Sequence, residues 1–159
     1  MKDTSEFHTV RGYQLLEQNK KLLTSAMEDY LEMIYRSSLN EESISTSSLS
    51  ELLNVAAPST TKMVQKLNRL ELLDYKKYGY IYLTENGKEI GKYLLQRHNI
   101  IEQFLKNLGV KDNILAETEL IEHTISAATL QKINAFNKFL DLNNDVVQRF
   151  DQFSQYNIS

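Results

Sequence analysis

Carboxylate and imidazole side chains stand at helical spacing in two parts of the sequence. Glu119, Glu122 and His123 occupy positions i, i+3 and i+4, which would place them on one face of a helix. Asp29 and Glu32 are likewise separated by three residues. Because the chain has no cysteine, any metal site would use such oxygen and nitrogen ligands. These spacings also occur as surface pairs or as favourable charge near a helix start, so both interpretations stay open.

His98 has a different setting from the other candidate ligands. It falls on the apolar stripe that Leu94, Ile101 and Leu105 form along the longest helix expected in the chain. This position favours a core histidine that is hydrogen bonded to a neighbour, and a metal ligand is the alternative.

Positive charge is concentrated in the middle of the chain. The formal net charge is −3, yet basic residues outnumber acidic residues between Pro58 and Arg97. The overall charge argues against a protein that coats nucleic acid without selectivity, whereas the local charge suits a DNA-binding surface. A solvated helix face would produce the same local pattern, so the charge becomes informative only in a suitable fold.

The order of elements around this basic segment is helix, turn, helix and hairpin, which is typical of a winged helix. Helices are predicted over residues 25–35, around residues 48–53 and from Pro58, which suits a first helical position. Strands are predicted at 73–77 and 80–83. Ser25 and Glu28 have the spacing of a capping box at the first of these helices. Its inward face comprises Met27, Tyr30, Leu31 and Ile34.

In a helix-turn-helix protein, the second helix enters the major groove by its first turn. We therefore predict DNA contacts from the exposed side of the helix that starts at Pro58 and from the hairpin. The predicted contact residues are Pro58, Ser59, Thr60, Lys62, Gln65, Lys66, Lys76 and Lys77.

Few turn-forming residues interrupt the rest of the chain. The first 23 residues suggest an irregular start and a short helix over 13–21. Thr84 is predicted to cap a long helix that reaches residue 108, where Gly109 would end it. Two or three further helices follow from residue 112. Their apolar positions include Leu115, Ile121, Leu130, Ile133, Phe136 and Leu140.

These elements predict a mainly α protein with a small β-hairpin wing. We expect an N-terminal extension (1–24), a winged helix-turn-helix DNA-binding domain (25–95) and a helical metal-binding and dimerisation domain (96–159). The sequence contains no apolar run of the about 20 residues that a membrane helix needs, and its start does not resemble a secretory signal. A cytoplasmic protein without a membrane partner is expected.

Five segments, taken together and in order, resemble the diphtheria-toxin-repressor family, most closely its manganese-transport-regulator branch. They are MEDYLEMIY at 27–35, TKMVQKL at 61–67, LTENGK at 83–88, RH at 97–98 and IEH at 121–123. The likeness extends from about residue 25 to about residue 139.

The resemblance implies a repressor that binds a palindromic operator in double-stranded DNA as a homodimer when a divalent metal is bound. It implies two ions per subunit, with Mn²⁺ favoured over Fe²⁺, because the iron-responsive branch has methionine and cysteine where this chain has Asp29 and Glu119. Glu119 and Glu122 would bridge the ions. The implied ligands are Asp29, Glu32, His98, Glu119, Glu122 and His123.

Two departures from the family and two rival functions accompany this interpretation. The chain stops before the SH3-like third domain of the iron-responsive members, and it starts with about twenty residues that the manganese branch generally lacks.

One rival function is that of a dinuclear metal enzyme, but the Glu-x-x-His pairs typical of di-iron helical enzymes are missing. The other is a winged-helix regulator that does not depend on metal.

Overall fold

The computed structural model describes residues 4–41 and 43–157, which form eight α-helices and three short strands. The helices are α1 Thr4–Asn19, α2 Ser25–Ser38, α3 Thr46–Leu53, α4 Ala57–Arg69, α5 Glu85–Asn107, α6 Ile114–Glu122, α7 Ala127–Leu142 and α8 Asn144–Asn157. The strands are β1 Ile44–Ser45, β2 Leu73–Tyr75 and β3 Tyr80–Leu83. Among the described residues, no helix is long and apolar enough to cross a bilayer. The chain divides into two compact units, Met1–Leu95 and Gln96–Ser159.

The first unit is a winged helix, which confirms the predicted mainly α class with a small hairpin. Its antiparallel sheet has the order β1-β3-β2, with Ile44 opposite Ile81 and Leu73 opposite Leu83. The sequence did not predict β1, a two-residue strand too short for a pattern. The helices bury their apolar faces around this sheet, and the four inward residues predicted on α2 are all buried. The least exposed apolar side chains of this unit are Leu31, Ile34, Leu49, Val64, Leu67, Leu72, Leu73, Ile81, Ile90 and Leu94.

Helix α2 begins as predicted, but its cap is one residue earlier. Thr24 has an extended backbone (φ −84°, ψ 161°), and its Oγ1 accepts a hydrogen bond from the Met27 amide at 3.3 Å. Ser25 is already helical and cannot act as the cap, so the predicted capping box is wrong. The helix also continues three residues beyond the predicted end, to Ser38.

Helix α4 is amphipathic. Pro58 is its second residue rather than its first, where the missing N–H is equally harmless because that amide has no partner within the helix. Val64 and Leu67 are fully buried, and Lys62 and Lys66 lie exposed on the opposite face.

The wing differs from the prediction in its first strand. Strand β2 ends at Tyr75, and residues Lys77–Gly79 form a single 3₁₀ turn that leads into β3. Tyr78 has a φ of 70° and Gly79 a φ of 80°, so the chain reverses through two left-handed residues. The pairing with β3 therefore stops before residue 77.

Helix α1 is longer than the predicted helix over 13–21, and it begins nine residues earlier. Gly12 lets this helix approach α5 closely, since a Cβ there would collide with the Glu89 carbonyl oxygen. The Tyr13 and Tyr93 rings pack at a centroid distance of 5.7 Å, and Leu16 is buried. Packing against α5 stabilises a segment whose own apolar periodicity is weak, which explains the error.

The second unit consists of the C-terminal half of α5 with α6, α7 and α8. Helix α5 ends as predicted, because Gly109 has a φ of 84° and the Val110 amide donates back to the Leu105 carbonyl at 3.0 Å. Within this unit, Asn137 of α7 donates from Nδ2 to the Ile100 carbonyl of α5 at 2.9 Å. Large apolar side chains remain exposed on the single chain, among them Leu115, Leu120, Phe136, Phe139 and Leu142.

Candidate metal centre and DNA interface

A buried carboxylate–imidazole pair lies inside the second unit. His98 Nδ1 and Glu122 Oε2 are 3.0 Å apart, and the two residues are only 6% and 1% exposed. The pair joins α5 to α6 across 24 residues of sequence. A buried carboxylate is costly unless a partner stabilises its charge, so the imidazole at this position has an electrostatic role beyond packing.

A second imidazole lies on the other side of the same carboxylate. Helix α6 ends at Glu122, and His123 follows as its C-cap, with Nε2 3.9 Å from Glu122 Oε1. This distance is that of an ion pair and too long for a hydrogen bond. Each oxygen of Glu122 therefore lies near one histidine ring. Carboxylates and imidazoles are side chains that divalent transition metals bind.

Glu119 is on the same helix but in a different environment. Its side chain is exposed, whereas Glu122 one turn later is buried. Within the second unit, the structure thus brings His98, Glu122 and His123 together and leaves Glu119 at the surface.

The two remaining predicted ligands lie on α2 in the first unit. Asp29 is half-buried, and Glu32 is 8% exposed. Glu32 Oε1 accepts a hydrogen bond from Arg36 Nη2 at 2.7 Å, a short charge-assisted contact one helical turn away. Arg36 was not among the residues predicted to belong to the site, although its i, i+4 spacing from Glu32 was a usable signal.

The predicted DNA-contacting residues of α4 lie on its exposed face, with one exception. Pro58, Ser59, Lys62, Gln65 and Lys66 are exposed. Thr60 is fully buried, and its hydroxyl faces the Ala56 carbonyl at 3.5 Å. Its side chain is therefore not available to DNA, and the prediction for Thr60 is wrong, because this position faces the core side of α4.

The wing supplies cationic and aromatic side chains. Lys76 is exposed, with Nζ 3.3 Å from Asp74 Oδ2 and 5.1 Å from the centre of the Tyr82 ring. The side chain of Lys77 lies outside the part of the chain that the structure describes. Tyr78 at the turn is 94% exposed.

The fold defines a winged-helix protein with a second, helical unit, in which carboxylate and imidazole side chains lie close together. The chain belongs to the iron-dependent repressor family, which confirms the resemblance found in the sequence. The family's N-terminal DNA-binding domain matches residues 22–81, and its metal-binding and dimerisation domain matches residues 84–151.

Several curated relatives carry the name HTH-type transcriptional regulator MntR. The protein from Lysinibacillus sphaericus (strain C3-41) is 38% identical over 129 residues, which cover 80% of this chain and 93% of the relative. The protein from Bacillus subtilis (strain 168) is 39% identical over 132 residues, which cover 82% of this chain and 86% of the relative.

Solved structures of metal regulators share the fold. The manganese regulator SloR superposes with a TM-score of 0.64 at 35% identity over 71% of this chain. A manganese-dependent transcriptional repressor in complex with manganese superposes with a TM-score of 0.60 at 31% identity over 70% of this chain. The chain spans about half the length of these solved chains, 54% and 52% respectively.

Proposed function

We propose that this protein is a transcriptional repressor that binds DNA when it holds a divalent metal, Mn²⁺ in preference to Fe²⁺. The observation that carries the proposal is the buried Glu122 carboxylate between His98 and His123. Regulators named for manganese among the relatives support the same conclusion. The relatives are transcriptional regulators, which favours regulation over catalysis.

We infer that the complete ligand set comprises the six ligands that the family resemblance implies. Asp29 and Glu32 of α2 and Glu119 of α6 would join His98, Glu122 and His123, giving enough carboxylates for two ions per subunit. An exposed Glu119 can turn towards an ion at little cost, since no packing holds its side chain. Bound Mn²⁺ supplies the positive charge that compensates these carboxylates.

The preference for manganese rests on the chemistry of the donors. Carboxylates at positions 29 and 119 are harder ligands than thioether or thiolate sulfur, and hard ligands suit Mn²⁺. A variant with Asp29→Met and Glu119→Cys is expected to lose response to Mn²⁺ relative to Fe²⁺. The measurement is DNA binding titrated anaerobically with each metal. An unchanged ratio of the Mn²⁺ response to the Fe²⁺ response would contradict a role of these carboxylates in metal preference.

The charges on these residues also suggest how metal and DNA binding are linked. Asp29, Glu32, Glu119 and Glu122 carry like charges that repel one another, and bound metal would compensate this charge. We infer that this compensation favours the form of the protein that binds DNA through the recognition helix α4. Metal and DNA would then raise each other's affinity by the same factor.

A homodimer would complete the DNA-binding form. The exposed apolar side chains of the second unit, such as Leu120 and Leu142, suit a surface that a second copy covers. Two copies of α4 related by a twofold axis would match a palindromic operator in double-stranded DNA. The contacts would come from Pro58, Ser59, Lys62, Gln65, Lys66, Lys76 and Lys77.

The deciding experiment is a gel shift on duplexes selected by this protein from a random-sequence library in the presence of Mn²⁺. Binding is expected with Mn²⁺ and is expected to be lost on addition of a chelator. Glu122→Gln, which keeps the side-chain shape and removes the charge, should bind DNA poorly even with Mn²⁺. Chelator-resistant binding would indicate a metal-independent regulator, and failure to select any DNA would favour the dinuclear enzyme.

A further inference from the structure

The ion pair between Glu32 and Arg36 stands apart from an otherwise similar pair in the chain. Arg36 Nη2 lies 2.7 Å from Glu32 Oε1, and the Glu32 side chain is 11% exposed. Arg149 and Asp145 have the same i, i+4 spacing, but they are 3.3 Å apart and both side chains are 73% exposed. Because water screens the exposed pair more strongly, the Arg36 charge acts more strongly on its carboxylate.

We propose that Arg36 is a positioning residue that holds one oxygen of Glu32 and lowers the affinity of this carboxylate for metal. The inference rests on the proposed function, in which Glu32 is a metal ligand. The guanidinium 2.7 Å from Oε1 occupies one acceptor position of the carboxylate and favours one orientation of its side chain. Its positive charge also opposes the approach of a divalent cation.

Arg36 thereby raises the metal concentration at which the Glu32 carboxylate binds an ion. A sensor must release its metal when the concentration falls, so a built-in cation beside one ligand keeps the affinity from becoming too high. The Arg36 side chain is 44% exposed, which allows it to move into water without leaving a cavity.

The size of the effect follows from the exposure of Arg36. The interaction free energy of a partly exposed ion pair is similar to that of the stronger surface ion pairs. Loss of the Arg36 charge should therefore tighten metal binding about two- to fivefold. High salt screens the arginine charge and should reduce this difference.

The experiment measures Mn²⁺ affinity of the full chain by isothermal titration calorimetry at low and high salt. Arg36→Gln removes the charge and is expected to bind Mn²⁺ about two- to fivefold more tightly at low salt. Arg36→Met serves as a second uncharged variant with the same expectation. Arg36→Lys, which retains the charge, and Arg149→Gln, the matched control, are expected to bind as the parent does.

A double-mutant cycle separates an effect through Glu32 from a general change in the fold. In a Glu32→Gln background, Arg36→Gln should leave Mn²⁺ affinity unchanged, because the carboxylate on which the arginine acts is gone. Equal tightening in both backgrounds would overturn the proposed route through Glu32.

The outcomes distinguish this inference from the proposed function. Parent protein that binds Mn²⁺, with uncharged Arg36 variants that bind equally or more weakly, would overturn the role of Arg36 alone. Parent protein that binds no divalent metal would overturn the proposed function and the role of Arg36 with it.

Discussion

Replacement of His98 by alanine separates a structural role of this residue from a role as a metal ligand. His98 is 6% exposed and lies 3.0 Å from a Glu122 carboxylate that is 1% exposed. A hydrogen bond to a charged group contributes about 1.5 to 3 kcal/mol, and the lost packing of the ring adds to this. We expect the metal-free variant to lose about 2 to 4 kcal/mol of its free energy of unfolding, which leaves a protein of ordinary stability folded.

The stabilisation of the parent protein by bound Mn²⁺ is expected to be of similar size, but it is measured as a rise in melting temperature when Mn²⁺ is added. Mn²⁺ at a hundred times its dissociation constant should stabilise the parent by about 2.7 kcal/mol. For a chain of this length, that corresponds to a rise in melting temperature of about 5 to 10 °C. If His98 is a ligand, its alanine variant should show little of this rise.

The assay is thermal unfolding with chelator and with Mn²⁺, for the parent, His98→Ala and a core control. Leu105→Ala removes a side chain that is 5% exposed on the same helix. This control should lose stability without metal and keep the Mn²⁺-dependent rise. If His98→Ala showed the full Mn²⁺-dependent rise in melting temperature, the ligand role would be refuted and His98 would be a core residue.

Three further predictions concern other parts of the molecule. Lys62→Ala and Lys66→Ala should each weaken DNA binding and reduce the slope of log affinity against log salt by about one, measured by fluorescence anisotropy. Burial and the nearby Glu89 carboxylate raise the pKa of Tyr35 above its ordinary value of 10.0. The neutral form of Tyr35 therefore contributes to the free energy of unfolding below pH 10.0, and this contribution is lost as the pH rises through the raised pKa. Tyr35→Phe should reduce the decrease in the free energy of unfolding at alkaline pH. Gly12→Ala should destabilise the protein by about 1 to 3 kcal/mol in urea unfolding, because its Cβ would meet the Glu89 backbone.

Controls for these variants come from exposed positions. Lys111→Ala changes a lysine outside α4 and should leave the salt slope as it is in the parent. Val10→Ala truncates a side chain on α1 that is 49% exposed, and it should alter stability little. An equal loss of stability in Val10→Ala and Gly12→Ala would mean that the close approach at Gly12 does not matter.

Local chemistry in the sequence was sufficient to predict the main helices and their faces. The apolar spacing on α2 and α4 predicts which side is buried, since a helix repeats every 3.6 residues whatever surrounds it. Gly109 predicts the end of α5 because the left-handed backbone there is costly for any residue with a Cβ. The predicted types of metal ligand also follow from composition, because a chain without cysteine offers carboxylates and imidazoles.

Tertiary packing alone decided the features that join distant residues. The contact of His98 with Glu122 spans 24 residues and depends on how α6 packs on α5 within the second unit. The length of α1 depends on the close approach at Gly12, and the burial of Thr60 depends on which side of the first turn of α4 meets the core. Local periodicity carries no information about such contacts, because their energy appears only when separate elements meet.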